Sequence, residues 1–195
     1  ASNVVLRVTS ADTGEVTVGT ADYTFTTSNW DTPQTVTLTG VDDSLVDGSV
    51  STTLTITVVD ASSDDDFDAL ADQTITVTTT DNDAAGFTKS QTARTVTEAA
   101  GGGNTATFTL VLDAQPATDV VLNVVSADTG EVTVGTANYT FTNGNWDTPQ
   151  TVTLTGINDT IVDTDTTTNV TISVTDASSD NNFDALADQT VTVTT

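Results

Sequence analysis

The chain repeats itself, and the repeat limits the possible folds more than any other feature. Ser10 opens the stretch SADTGEVTVGTADYTFTTSNWDTPQTVTLTG, and Ser126 opens SADTGEVTVGTANYTFTNGNWDTPQTVTLTG. The offset, 126 − 10 = 116, holds without a gap to the end of the 195-residue chain. Residues 1–79 and 117–195 differ at 22 of 79 positions, so 79 − 22 = 57 are identical. A fixed period of this kind marks tandem copies of one structural unit. The expected division is a first repeat over 1–83 and a second over 84–195. Ala1 aligns with Ala117, so the first repeat is expected to lack the N-terminal strands that residues 84–116 supply to the second. Thr195 aligns with Thr79, so the second is read as nearly complete, and the whole as a window on a longer array. The first repeat should show an open sheet edge unless a preceding segment or another chain fills it.

Within each repeat the period is two. Thr35-Val36-Thr37-Leu38-Thr39, Leu54-Thr55-Ile56-Thr57-Val58 and Ile75-Thr76-Val77-Thr78 alternate apolar and hydroxyl side chains, as half-buried strands do. Threonine fills 48 of the 195 positions, and its β-branch favours strands while its hydroxyl tolerates the wet face. No stretch sustains a helical period. Strands are expected near 87–97, 104–113, 120–126, 139–142, 150–157, 168–175 and 189–194, with a short one at 131–134. About seven short strands in ~110 residues predict an all-β chain of tandem immunoglobulin-like antiparallel β-sandwiches. Trp30 and Trp146, each in NWDTPQ directly before a strand, are expected to cap one end of the core. Phe25, Phe67, Phe108, Phe141 and Phe183 read as core residues too. Gly101-Gly102-Gly103 reads as a hairpin loop, because no helix follows to make it a phosphate cradle.

The charge excludes whole classes of function. There are 28 acidic and three basic side chains, a formal charge of −25, and no His or Cys. Nucleic acid and anionic membrane both require clustered Lys and Arg. Zinc, copper, haem and iron–sulfur ligand sets need His or Cys, as do the serine and cysteine triads. No apolar run approaches the ~18 residues of a membrane span. Oxygen chemistry remains, and oxygen suits hard cations, calcium above all.

The acids gather between strands. Asp42-Asp43-Ser44-Leu45-Val46-Asp47 lies in the first repeat, Asn158-Asp159-Thr160-Ile161-Val162-Asp163-Thr164-Asp165 in the second, and Asp81-Asn82-Asp83 between them. Glu98 ends a strand just before the glycines. These residues resemble a known family. A Glu before a Gly-rich turn, the G-x-x-D-Y step from Gly19 to Tyr23, V-D-D-x-x-x-D from Val41, and a closing D-N-D look like the Calx-β domain. NWDTPQTVTLTG followed by TTTDNDAAGFT is similar to Calx-β-like repeats of large bacterial cell-surface adhesins. The resemblance covers essentially the whole chain.

The resemblance implies calcium at one end of each sandwich. Carried over residue by residue, the first repeat would use Asp22, Asp42, Asp43, Asp47, Asp81 and Asp83 with the Leu45 carbonyl. The second would use Glu98, Asn158, Asp159, Asp163 and Asp165 with the Ile161 carbonyl. Two departures stand out: Asn138 replaces the acid of the D-Y step, and Asn158 replaces Asp42. The site next to Asp81–Asp83 is therefore expected to be the stronger. Independently, carboxylates within ~5 Å of one another do not all stay ionised without a cation. The plain alternative is that the acids are solvated loop residues that keep the chain soluble. A second run, Asp64-Asp65-Asp66-Phe67-Asp68, is matched by Asp180-Asn181-Asn182-Phe183-Asp184. It opens like an EF-hand loop but lacks that loop's Gly and final Glu, so a Phe-anchored polar loop is expected.

Function is expected to be structural. The chain reads as a spacer from the stalk of an extracellular bacterial adhesin or surface filament, stiffened by Ca2+ at module junctions. Its partners would be neighbouring repeats and other chains of a filament, with neither nucleic acid nor inserted membrane. Related roles are cell adhesion, biofilm formation and gliding motility. A glycan- or protein-binding module is the alternative, and few aromatic residues are free to serve it. Rows of Thr suggest ice binding, but a twisted sheet matches a flat lattice poorly. No enzyme is expected: the paired acids sit in turns without an aromatic subsite. A Lys–Asn crosslink needs a Lys in each module, and Lys89 is the only one.

Overall fold

The computed structural model describes residues 3–98, 104–160 and 164–195. These form two compact units. The first contains the residues up to Asp43 and Gly48–Asn82; the second contains Ser44–Asp47 and Asp83–Thr195.

Among its described residues the first unit has six strands: β1 (Val4–Ser10), β2 (Val16–Val18), β3 (Asp22–Phe25), β4 (Leu38–Gly40), β5 (Val50–Val58) and β6 (Gln73–Thr79). Four of them make one sheet in the order β3-β1-β5-β6, and β2 pairs with β4. All pairings are antiparallel, from Val4 opposite Phe25 to Val50 opposite Thr79. Val8, Val16, Tyr23, Thr52 and Leu54 are buried.

Among its described residues the second unit has nine strands. They are β7 (Phe87–Lys89), β8 (Ala93–Thr95), β9 (Thr105–Leu112), β10 (Val120–Ser126), β11 (Val132–Val134), β12 (Asn138–Phe141), β13 (Gln150–Gly156), β14 (Thr167–Val174) and β15 (Gln189–Thr194). One sheet runs β12-β10-β14-β15-β8 and the other β11-β13-β9-β7. Their inner faces share one core, in which Phe108, Leu110, Leu122, Phe141, Leu154, Ile172, Phe183 and Val191 are fully enclosed. The alternation explains this directly: β10 buries Val120, Leu122 and Val124 on one face and turns Val121, Asn123 and Val125 outward. The chain is thus all-β and its second unit is an immunoglobulin-like sandwich. The pairing of β10 with β12 starts at Val120 opposite Phe141, the register of β1 with β3 moved by 116.

The expected strand over 87–97 is a correction: it is two strands in two sheets. β7 pairs antiparallel with β9, whereas β8 pairs parallel with β15. Between them Ser90 donates its N–H to the Thr109 carbonyl at 3.0 Å, and its Oγ accepts the Thr109 N–H at 2.8 Å. The enclosed positions change phase across the crossing, from Phe87 to Val96, but Ala93 is the one apolar residue between them, so the sequence does not mark where the strand changes partners. Residues Ser44–Asp47 fold as part of the second unit. Leu45 bridges to Gln115, the Gln115 N–H donates to the Ser44 carbonyl at 2.7 Å, and Asn182 Nδ2 donates to the Val46 carbonyl at 2.6 Å. Gly101–Gly103 lie outside the described residues. Among the described residues no helix is long and apolar enough to cross a membrane.

Candidate metal centre

The two units place the implied ligands differently. In the second unit Glu98 and Asp165 line one hollow of about 360 Å³, together with Thr95, Val96, Thr97, Thr164, Thr194 and Thr195. Glu98 lies three residues past the end of β8, and Asp165 lies two residues before β14. The two elements meet across β15: Thr166 and Thr195 exchange backbone hydrogen bonds at 3.1 and 2.9 Å, and the Val96 N–H donates to the Thr194 carbonyl at 2.9 Å. The Thr195 hydroxyl oxygen is buried there and has no hydrogen-bond partner. Two carboxylates and several hydroxyls make an all-oxygen donor set, the chemistry that calcium prefers. Asn158 and Asp159 follow β13 and are exposed. Ile161 and Asp163 lie outside the described residues.

In the first unit Asp22 is already neutralised. Arg7 Nε donates to Asp22 Oδ1 at 2.7 Å and Arg7 Nη2 donates to Oδ2 at 2.8 Å, so both oxygens are occupied by one planar fork. This hydrogen bonding holds the Asp22 carboxyl below its ordinary pKa. The two residues face one another directly in the β1–β3 register. In the second unit the same register position holds Asn123 and Asn138, with Asn123 Nδ2 donating to Asn138 Oδ1 at 2.7 Å. Arg–Asp and Asn–Asn are alternative solutions to one cross-strand pair. The joint change at 7/123 and 22/138 was a signal of that pairing in the sequence. Asp81 Oδ2 accepts the Gly48 N–H at 2.8 Å, which closes the loop around Gly48. Gly48 has φ of +76°, a conformation open to glycine at no cost. Asp42 and Asp43 follow β4 and are exposed, Leu45 and Asp47 fold with the second unit, and Asp83 begins it. The Leu45 carbonyl accepts the Asp47 N–H at 3.0 Å. Among the described residues, no three or more carboxylates stand close enough to hold a metal ion by themselves.

The second acidic run is an anchor. Asp180 is buried; its Oδ2 accepts the N–H groups of Ala117 and Thr118 at 2.8 and 3.0 Å, and its Oδ1 accepts that of Asn182 at 3.0 Å. Phe183 beside it fills the core. In the first unit Asp68 is held above the ordinary carboxylate range by lost hydration and then by the charges of Asp60, Asp65 and Asp64.

No family model matches the chain, and no curated protein matches it. Three solved structures illustrate what it is similar to in shape. One is the surface layer protein SbsC, domains 4–9, at 18% identity and a TM-score of 0.43, covering 96% of this chain and 21% of that one. Another is CBD12 from CALX1.2, at 13% identity and 0.37, covering 88% and 67%. The third is the zebrafish RET cadherin-like domains 1 to 4, at 10% identity and 0.38, covering 98% and 41%. The chain spans about a fifth of the SbsC structure.

Proposed function

We propose that the chain is a spacer segment from the stalk of an extracellular bacterial surface protein, with calcium stiffening its loops. The observation that carries the proposal is the repeat itself: one β-sandwich pattern recurs at a fixed offset of 116 with the same strand register. Tandem β modules give reach, and a repeat that duplicates its framework while varying its loops suits length better than catalysis.

Calcium is supported by the donor chemistry. In the second unit Glu98 and Asp165 would hold the ion, with the Thr195 hydroxyl completing an oxygen cluster. In the first unit the ion would fall to Asp42, Asp43 and Asp81, while Asp22 serves Arg7. Bound calcium would supply positive charge to a chain of formal charge −25, which otherwise repels itself. Extracellular modules bind calcium at ~10⁻⁴–10⁻³ M, so stiffness would follow ambient calcium. An excess of about 100 times Kd stabilises the folded state by about 2.7 kcal/mol. Melting and small-angle scattering in calcium and in EDTA test this. A higher Tm and a narrower scattering distribution with calcium are expected, and identical curves in EDTA would overturn calcium's role.

A further inference from the structure

The first unit carries an apolar hollow of about 540 Å³ lined by Val4, Leu6, Phe25, Trp30, Phe67 and Leu70, with Thr26, Thr27 and Asp64. Each apolar residue has a counterpart 116 positions on, and in the second unit Val120, Leu122, Phe141 and Phe183 are completely enclosed. The lid there is known. Phe87, Val96, Phe108, Leu110 and Leu112 all come from residues 84–116 and belong to the same core. We propose that the open face of the first unit is an acceptor for a strand segment with the sequence pattern of residues 84–116.

Three independent features of the first unit match that occupant. The first is a socket. A Cβ at Gly156 would lie 2.5 Å from the Thr97 carbonyl oxygen and 3.0 Å from Val96, so glycine is what lets this segment approach. Gly40 is its counterpart, yet a Cβ there would meet only a Thr79 methyl at 3.6 Å. Among the described residues of the first unit, none needs a glycine at that place. The second is a polar latch. Gln189 accepts from Lys89 Nζ at 2.9 Å and donates to the Phe87 carbonyl at 2.7 Å. Its counterpart Gln73 turns to the nearby Ala71 carbonyl at 3.0 Å. The third is charge. Residues 84–116 carry Lys89 and Arg94 against Glu98 and Asp113 and are neutral overall, so this segment can cover the acidic first unit without adding to its negative charge. By the register of β9 on β13, the incoming strand would set a Phe108-type residue opposite Val36 and a Leu110-type residue opposite Gln34.

The test mixes the full 195-residue chain with a synthetic peptide of residues 84–116, in EDTA so that calcium plays no part. One-to-one binding with a blue shift of tryptophan emission is expected, and the shift should vanish in Trp30→Phe. Gly40→Val should keep the chain's own melting curve but weaken binding at least tenfold. No binding, or binding that Gly40→Val leaves unchanged, overturns the proposal. So does concentration-dependent burial of Trp30 in the chain alone, which would make a second copy the occupant. A fusion of 84–116 directly ahead of Ala1, recreating the Pro116–Ala117 join, guards against a peptide that aggregates. There the melting of the first unit should rise toward that of the second, and an unmoved transition counts against the proposal.

Discussion

Trp30 and Trp146 stand in the same six residues, NWDTPQ, and the turns around them are built alike. Asn29 Oδ1 accepts from the Thr26 hydroxyl at 2.9 Å, and Asn145 Oδ1 accepts from that of Thr142 at 3.1 Å. Gln34 and Gln150 both reach back to a threonine carbonyl, at 2.8 and 2.7 Å. Yet Trp30 is 71% exposed while Trp146 packs against the core, and Phe67 is 42% exposed while Phe183 is at 0%. The strands show the same contrast. β13 runs from Gln150 to Gly156, but of the matching residues 34–40 only Leu38–Gly40 form a strand. Turns are therefore settled by local hydrogen bonds, whereas burial and strand length depend on what covers them. Here the covering strands are β7, β8 and β9.

The largest test of this difference is the same deletion made twice. Phe183→Ala empties an enclosed site and should cost about 3–5 kcal/mol. Phe67→Ala removes a ring already largely in water and should cost less than about 1 kcal/mol. Denaturant unfolding followed at each tryptophan separates the two. Equal losses would mean that the first unit packs Phe67 as tightly as the second packs Phe183, and the contrast would fail.

Much of the fold was legible in the sequence, and the pairs explain which parts were. Strands β10 and β15 begin and end where alternating Val and Leu predict, because each keeps one face on the core throughout. The break between β7 and β8 was hidden because Thr88, Lys89, Ser90 and Thr92 read as ordinary strand or turn residues wherever they pair. Among site residues, Glu98 and Asp165 come to line one hollow through folding, although 67 residues separate them. Asp22 reads as a ligand in sequence because nothing local shows Arg7 across the sheet, 15 residues away. The Thr195 hydroxyl carries no sequence signal at all, being one threonine among 48.

A glycine pair gives a smaller effect. Gly156→Ala drives a methyl into the Thr97 carbonyl and should destabilise the second unit by about 1–3 kcal/mol. Gly40→Ala meets only ordinary contact and removes a flexible residue from a strand, so it should be neutral or slightly stabilising. Thermal melting of the two variants against the parent chain gives the answer. A penalty at Gly40 as large as at Gly156 would mean that the socket is already filled.

The smallest effect is a pH dependence in the first unit, where two carboxyls act in opposite directions. Asp22 is held below its ordinary value by Arg7, so its contribution is complete above the unfolded pKa of ~3.9 and is lost as pH falls through the lower folded value. Asp68 is held above its ordinary value, so the folded state binds that proton more tightly than the unfolded chain does. Its contribution is complete below the unfolded pKa and is lost as pH rises through the raised one. On acidification the first unit should gain slightly from Asp68 above ~4 and lose the Arg7–Asp22 pair below it. Asp65→Asn installs the residue that the second repeat carries as Asn181 and removes one of the repelling charges. Carboxyl titration by NMR should then show Asp68 moving down toward the ordinary range, and added salt should move it the same way. An Asp68 curve that ignores both changes would leave lost hydration as the whole cause, and the aspartate-to-asparagine exchanges between the repeats would have no electrostatic consequence there.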